Sequence, residues 1–221
     1  MSGAVQQPSQ DRSGQDDAEL RAQVVALGAS LFNRGLTAGR TGNLSVRVQN
    51  GFLVTPTGAS LGNLTHDDLS LVDLQGRHID GPRPSKEAFL HAAVYRARPQ
   101  DSAVVHTHST HAVAVSCLAD VDPHDVLPPL TAYYVMRVGR LPLVPYHAPG
   151  DQSLGELAER TARASHAMLL ANHGPVISGA DLASAADAVE ELEETARLHL
   201  MLYERRTRPL TREQMVALRL T

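Results

Sequence analysis

The sequence predicts an α/β fold, a single domain whose mainly antiparallel central β-sheet is covered by helices. Three observations predict it. Short apolar runs of strand type recur between segments with helical spacing of apolar residues, so helices and strands alternate along the chain. Several strand runs are separated only by turn residues, as at Asn50-Gly51 and Gln75-Gly76, which favours antiparallel pairing. A length of 221 residues buries a full core and fits one domain better than two.

Residues 1–16 are rich in Gln, Ser, Gly and Asp with almost no large apolar residue, and read as a disordered arm; residues 17–221 form the domain. From Glu19 the spacing of Leu20, Val24, Leu27 and Leu31 is helical, with Gly35 placed to end the helix. Residues 44–48 and 52–55 form a hairpin around Asn50-Gly51, and residues 69–73 give a further strand. Ser85 is placed to cap a helix over residues 86–97, which stops before Pro99. Residues 103–108 form a strand and residues 110–119 a helix. Six prolines in residues 121–150 predict loops around a short strand at 141–144. A helix at 156–164, a buried strand at 167–171, its hairpin partner at 176–178 and a long helix over 181–205 complete the domain. The acidic run Glu190, Glu191, Glu193 and Glu194 reads as a solvated face of that last helix.

Composition excludes several classes of function. Net charge is −4 and the basic residues are scattered, so no nucleic-acid partner is expected. No apolar run approaches the roughly 20 residues that span a bilayer, and there is no Trp, so no membrane association is expected. Cys117 is the only cysteine, and no apolar stretch follows a basic N-terminal region. A cytoplasmic protein without an intrachain disulfide is expected.

The chemistry concentrates in two segments, Ala103-Val104-Val105-His106-Thr107-His108 and Leu170-Ala171-Asn172-His173-Gly174. Side chains at i and i+2 of a strand leave the same face, so His106 and His108 aim two imidazoles at one point. A third from a second strand completes a metal site. Three imidazoles with an open position suit a catalytic zinc, whereas a structural zinc site usually recruits cysteine. Taken singly, each of the eleven histidines is more often a surface or core residue than a ligand. His91, four residues after Glu87, is an alternative ligand, and His111 reads as a helix-start residue or a partner of the ligands. Three polar segments accompany the histidines: Thr41-Gly42-Asn43, Thr55-Pro56-Thr57-Gly58 and Pro84-Ser85-Lys86-Glu87. Their hydroxyls, glycines and helix-start amides suit an anion such as a small phosphorylated substrate.

Taken in order, Gly42-Asn43-Leu44-Ser45-Val46-Arg47, Thr55-Pro56-Thr57-Gly58, Ser85-Lys86-Glu87, Val104-Val105-His106-Thr107-His108 and Asn172-His173-Gly174 resemble the class II aldolase/adducin family of zinc-dependent sugar-phosphate lyases, over residues 19–205. The resemblance implies that His106, His108 and His173 hold Zn2+, with Mn2+ or Co2+ as possible substitutes. It implies that Glu87 is the catalytic acid/base, able to ligate the metal when substrate is absent, and that Asn43, Thr57, Gly58 and Ser85 hold substrate phosphate. It further implies a homotetramer with active sites between subunits. Longer strings, such as Ser85-Lys86-Glu87-Ala88-Phe89-Leu90-His91 and His108 through Ser116, look most like the 3-oxo-tetronate 4-phosphate decarboxylase branch.

That branch implies loss of CO2 to give dihydroxyacetone phosphate through an enediolate, the species that aldol cleavage of a ketose 1-phosphate also generates. A fuculose-phosphate-like aldolase is therefore the alternative. Lys86 stands where the family's aldolases usually carry a second serine, and is placed to hold the substrate carboxylate or phosphate. The family's catalytic tyrosine has no clean match, since Tyr133 and Tyr134 lie two or three positions beyond its place. A sugar-phosphate epimerase would use the same ligands. A non-catalytic adducin-like module would be expected to lose them, and here all three histidines and Glu87 are present.

Overall fold

The computed structural model describes residues 10–218, and it has the expected class: one eight-stranded sheet between two layers of helices. Its strands are β1 (Asn43–Val48), β2 (Gly51–Val54), β3 (Ser70–Val72), β4 (His78–Asp80), β5 (Ala103–His106), β6 (Leu143–Val144), β7 (Ala167–Leu170) and β8 (Gly174–Gly179). The sheet order is β4-β3-β2-β1-β5-β8-β7-β6, antiparallel throughout except for the β6–β7 pair at one edge. The helices are α1 (Gln10–Asn33), α2 (Ala88–Ala97), α3 (Thr110–Ser116), α4 (Ala132–Arg137), α5 (Leu154–Ala164), α6 (Leu182–Met201) and α7 (Arg212–Leu218). None of the described helices is long and apolar enough to cross a membrane.

Strand alternation sorts the core into two layers. Leu44 and Val46 of β1 and Ala103 and Val105 of β5 pack with α1, α3 and α6 on one face. On the other face Phe52, Val54, Val104 and Val176 pack with α2 and α5. The residues of β1 that turn to this second face are Asn43, Ser45 and Arg47, a polar stripe in an otherwise apolar layer. The centre of the sheet locates the functional end of the molecule. Because β1 and β8 both run antiparallel to β5, their N-terminal parts lie beside its last residue: Asn43 pairs with His106, and His106 with Val176.

Several elements differ from the expectation. Helix α1 starts at Gln10, so the latter part of the expected arm is helical, while residues 1–9 lie outside the described residues. Adding residues to a formed helix is easy once it is nucleated, and the Asp17–Arg21 pair at 2.9 Å supports the early turns. The first hairpin turns at Gln49-Asn50, one residue earlier than expected, since Val48 pairs with Gly51. Ser85 does not cap α2: the helix starts at Ala88 with Glu87 in the cap position, and the Ser85 hydroxyl accepts the Glu87 amide at 3.2 Å. β5 stops at His106, leaving His108 just beyond the strand. β4, α4 and α7 carry no clear signal in the sequence, because β4 is fully exposed and lacks apolar alternation, α4 is hidden among prolines, and α7 has no buried residue.

The acidic run on α6 also does more than face solvent. Glu190 pairs with Arg34 at 2.7 Å and Glu191 accepts the Thr131 hydroxyl at 2.9 Å. Glu193 caps another helix: its carboxylate accepts the His111 amide at 3.0 Å, the Ala112 amide at 2.9 Å and the His111 ring Nδ1 at 2.7 Å. His111 is thus a helix-start residue of α3, tied to α6. Burial pushes the Glu193 carboxyl up, but the His111 and Ala112 amides outweigh it and the net shift is downward. A carboxylate with a lowered folded pKa stabilises the fold above its unfolded value of about 4.3 and loses that contribution as pH falls through the folded value. Glu193→Ala is therefore expected to cost about 1–2 kcal/mol near pH 7. In denaturant titrations the gap from the parent chain should close below about pH 4.

Candidate metal centre

His106 ends the central strand and is fully buried. Its Nδ1 lies 2.8 Å from the carbonyl of Pro175 on the neighbouring strand, and a carbonyl only accepts, so the ring carries its proton there. Nε2 is then left with a lone pair directed at the site. His108, two residues on, brings its Nε2 to 3.1 Å from that of His106. His173 comes from the tight connection between β7 and β8, and its Nε2 lies 3.1 Å from that of His108. The flanking residues explain the Asn-His-Gly string. Asn172 adopts φ +54°, a left-handed conformation that asparagine tolerates, and a Cβ on Gly174 would meet the Thr107 carbonyl at 2.3 Å. Gly42 is required on the other side, since a Cβ there would lie 2.8 Å from the His106 carbonyl.

Glu87 closes the cluster from the start of α2. Its backbone (φ −101°, ψ +11°) is not helical, and the side chain makes no cap to its own helix. The carboxylate instead reaches across to the imidazoles, with Oε2 3.4 Å from His106 Nε2 and Oε1 3.3 Å from His173 Nε2. Asn43 Nδ2 donates to Oε2 at 2.8 Å. Burial pushes the Glu87 carboxyl up, yet the pull of His106, the Asn43 amide and the other imidazoles wins and the net shift is down. His108 is lowered to about 4, by burial first and then by its two imidazole neighbours, and His173 is lowered by burial and by His106. At neutral pH both therefore offer neutral nitrogens.

This arrangement fits a metal ion. The donor atoms of His106, His108 and His173 all lie within 4.8 Å of one another. The 3.1 Å nitrogen spacings approach the edge of about 3.3 Å for a tetrahedron with metal bonds of about 2.0–2.1 Å. Glu87 Oε1 is buried and lacks a hydrogen-bond donor among the described residues. Three lone pairs and an orphaned carboxylate oxygen gathered at one buried point are mutually repulsive without a cation.

The other sequence candidates lie around this cluster. Pro56 and Pro84 form an isolated bridge, the Thr57 amide donates to the Arg83 carbonyl at 3.1 Å, and the Ser85 amide donates to the Thr55 carbonyl at 3.1 Å. The Thr57-Gly58 and Ser85-Lys86 loops are therefore side by side, next to Glu87. The open space around an added Cβ at Gly58 leaves its backbone accessible, and Lys86 is exposed. Asn43 is not a free loop residue: it is 4% exposed, with its amide spent on Glu87 and His91. His91 is not a ligand, since both of its ring nitrogens are engaged, with Asn43 and Ser45.

Tyr134 is buried in the core with α6, and Tyr133 is exposed against Arg137. A cavity of about 480 Å³ opens from His108 and His173 toward Tyr146, His147 and Pro149. Sequence reasoning misses Tyr146 and His147 because they sit in the proline-rich stretch without periodicity.

Fold and site together define an α/β protein with a histidine triad able to hold a metal ion and a carboxylate beside it. The chain belongs to the class II aldolase/adducin family, whose Class II Aldolase and Adducin N-terminal domain matches residues 22–200. It is 48% identical over 203 residues to a 3-oxo-tetronate 4-phosphate decarboxylase of Pectobacterium atrosepticum, covering 91% of this chain and 93% of that protein. An L-fuculose phosphate aldolase of Escherichia coli is 34% identical over 82% of this chain and 83% of its own length. The crystal structure of YgbL from Klebsiella pneumoniae superposes with a TM-score of 0.89 at 48% identity, over 92% of this chain and 99% of that one.

Proposed function

We propose that this chain is a zinc-dependent lyase that decarboxylates 3-oxo-tetronate 4-phosphate to dihydroxyacetone phosphate and CO2 in sugar-acid catabolism. The observation that carries the reading is the convergence of His106, His108 and His173 on a buried point beside the orphaned oxygen of Glu87. The choice of decarboxylation over aldol cleavage is supported by 44–48% identity to decarboxylases against 33–34% to fuculose phosphate aldolases. Manganese or cobalt are possible substitutes for zinc, and a cytoplasmic homotetramer is the proposed state.

His106, His108 and His173 would hold the ion, with Glu87 as a further ligand when no substrate is present. Bound there, it would supply Lewis acidity to a substrate carbonyl oxygen. Thr57, Gly58 and Ser85 hold the phosphate on their paired loops, Lys86 sets a positive charge against the substrate carboxylate or phosphate, and Asn43, buried and engaged with Glu87 and His91, orients Glu87 instead of holding the phosphate. As CO2 leaves, its bonding electrons pass into the enediolate, and Glu87 delivers a proton to the carbon that lost the carboxyl group. Ionised at rest, Glu87 must take up a proton before giving one, in keeping with a net reaction that consumes one.

Steady-state comparison of 3-oxo-tetronate 4-phosphate with L-fuculose 1-phosphate on the zinc-loaded chain tests the proposal. A kcat/KM at least about 100-fold higher on the oxo acid, roughly 2.7 kcal/mol of discrimination, is expected. The reverse preference would establish the aldolase. Lys86→Ser should raise KM or lower kcat on the oxo acid, and unchanged values would remove Lys86 from the site.

A further inference from the structure

The buried side of Glu87 leads into a line of polar side chains that neither a metal nor a substrate reaches. Two stripes meet there. On α2 and its cap, Glu87, His91 and Tyr95 recur at every fourth residue and share one face; on β1, Asn43, Ser45 and Arg47 alternate toward it. They interlock in order. Asn43 Nδ2 lies 2.8 Å from Glu87 Oε2, Asn43 Oδ1 lies 2.5 Å from His91 Nε2, Ser45 Oγ lies 2.6 Å from His91 Nδ1, and Tyr95 Oη lies 2.8 Å from Ser45 Oγ. His91, Ser45 and Tyr95 are at most 1% exposed, and Phe52 packs on both rings.

The proton positions along this line are forced. A carboxylate only accepts, so Asn43 presents its NH2 to Glu87 and its carbonyl oxygen to His91. His91 must then donate from Nε2 and accept at Nδ1, which requires the Ser45 hydroxyl to donate to it. Ser45 Oγ in turn accepts from Tyr95. The far end agrees independently, because burial raises the Tyr95 phenol and keeps it a donor, and burial lowers His91 to about 3, keeping it neutral.

We propose that His91 is a positioning residue for Glu87: fixed in its Nε2–H tautomer by Ser45 and Tyr95, it orients the Asn43 amide, which holds the carboxylate between His106 and His173. If the Asn43 amide were reversed, its carbonyl oxygen would face the carboxylate and Glu87 would swing away. Arg47 anchors the far end, donating to the carbonyls of Tyr95 at 3.0 Å and Arg98 at 3.3 Å at the close of α2. The inference rests on the proposed acid/base role of Glu87 but on no particular substrate.

The test pairs His91→Phe, which keeps a ring without a donor, with His91→Gln, which keeps an N–H donor. In His91→Phe, zinc content should stay at the parent level while kcat falls about 10- to 100-fold at unchanged KM, on whichever substrate the parent turns over. His91→Gln should recover most of that loss. Equal kcat in His91→Phe and the parent, or no recovery in His91→Gln, would overturn the proposal. A substrate-free readout covers misfolded variants and a mistaken reaction: nitrogen-15 NMR of the parent chain with labelled histidine should show His91 protonated on Nε2 alone. Protonation on Nδ1 would overturn the proposal even if the enzyme proves to be a decarboxylase.

Discussion

Glu87→Gln is expected to retain the metal and lose turnover, with kcat down about 10²- to 10⁴-fold, the usual range for a general acid or base. The substitution is close to isosteric, and the three imidazoles that dominate the donor set are untouched. The buried environment explains why the loss should be severe. Glu87 is 8% exposed, and the described residues offer no other carboxylate within the histidine cluster to deliver a proton. Asn43 Nδ2 would then face an amide, and the introduced glutamine can satisfy it by presenting its oxygen. Metal analysis alongside single-turnover kinetics reads both halves of the expectation. A Glu87→Gln chain with near-parent kcat would remove the acid/base assignment.

His106→Ala should lose metal and activity together. The ring is fully buried, its Nδ1–H is fixed by the Pro175 carbonyl, and its Nε2 lies 3.1 Å from that of His108. Removing a ligand should cost more than the roughly 10- to 100-fold that follows loss of an outer hydrogen-bond partner. The Pro175 carbonyl loses the shorter of its two hydrogen bonds and keeps the Thr107 amide at 3.3 Å, while removal of a fully buried ring calls for a folding control. A variant that unfolds normally, binds no zinc and has no activity is the expected result; an active metal-free variant would contradict the metal's role.

Much of this site is written in local sequence rules. His106 and His108 are legible because strand alternation aims them together, and Asn172-His173-Gly174 because a positive φ and a close backbone approach demand those flanking residues. The position of Glu87 is not local. Ser85 followed by a helical run looks like a cap, yet Glu87 has non-helical backbone and turns its carboxylate to Asn43 and the histidine cluster, so the helix begins after it. The polar line behind it is also readable in principle. Glu87, His91 and Tyr95 are spaced by four, Asn43, Ser45 and Arg47 by two, and only the packing of α2 on β1 brings the stripes together. Glu193 teaches the same lesson, since a glutamate in an acidic run looks solvated until another helix starts against it. The 121–150 stretch is opaque because prolines erase periodicity, hiding α4 and the Tyr146-His147 wall of the cavity.

The most direct measurement follows carbon-13 at C1 of 3-oxo-tetronate 4-phosphate by NMR, with zinc-loaded and chelator-treated protein in parallel. The proposed function predicts that the label leaves as CO2 and bicarbonate at the rate dihydroxyacetone phosphate appears, one for one, and only in the zinc-loaded sample. Label retained in a four-carbon compound, or equal release in the chelated sample, would contradict metal-dependent decarboxylation.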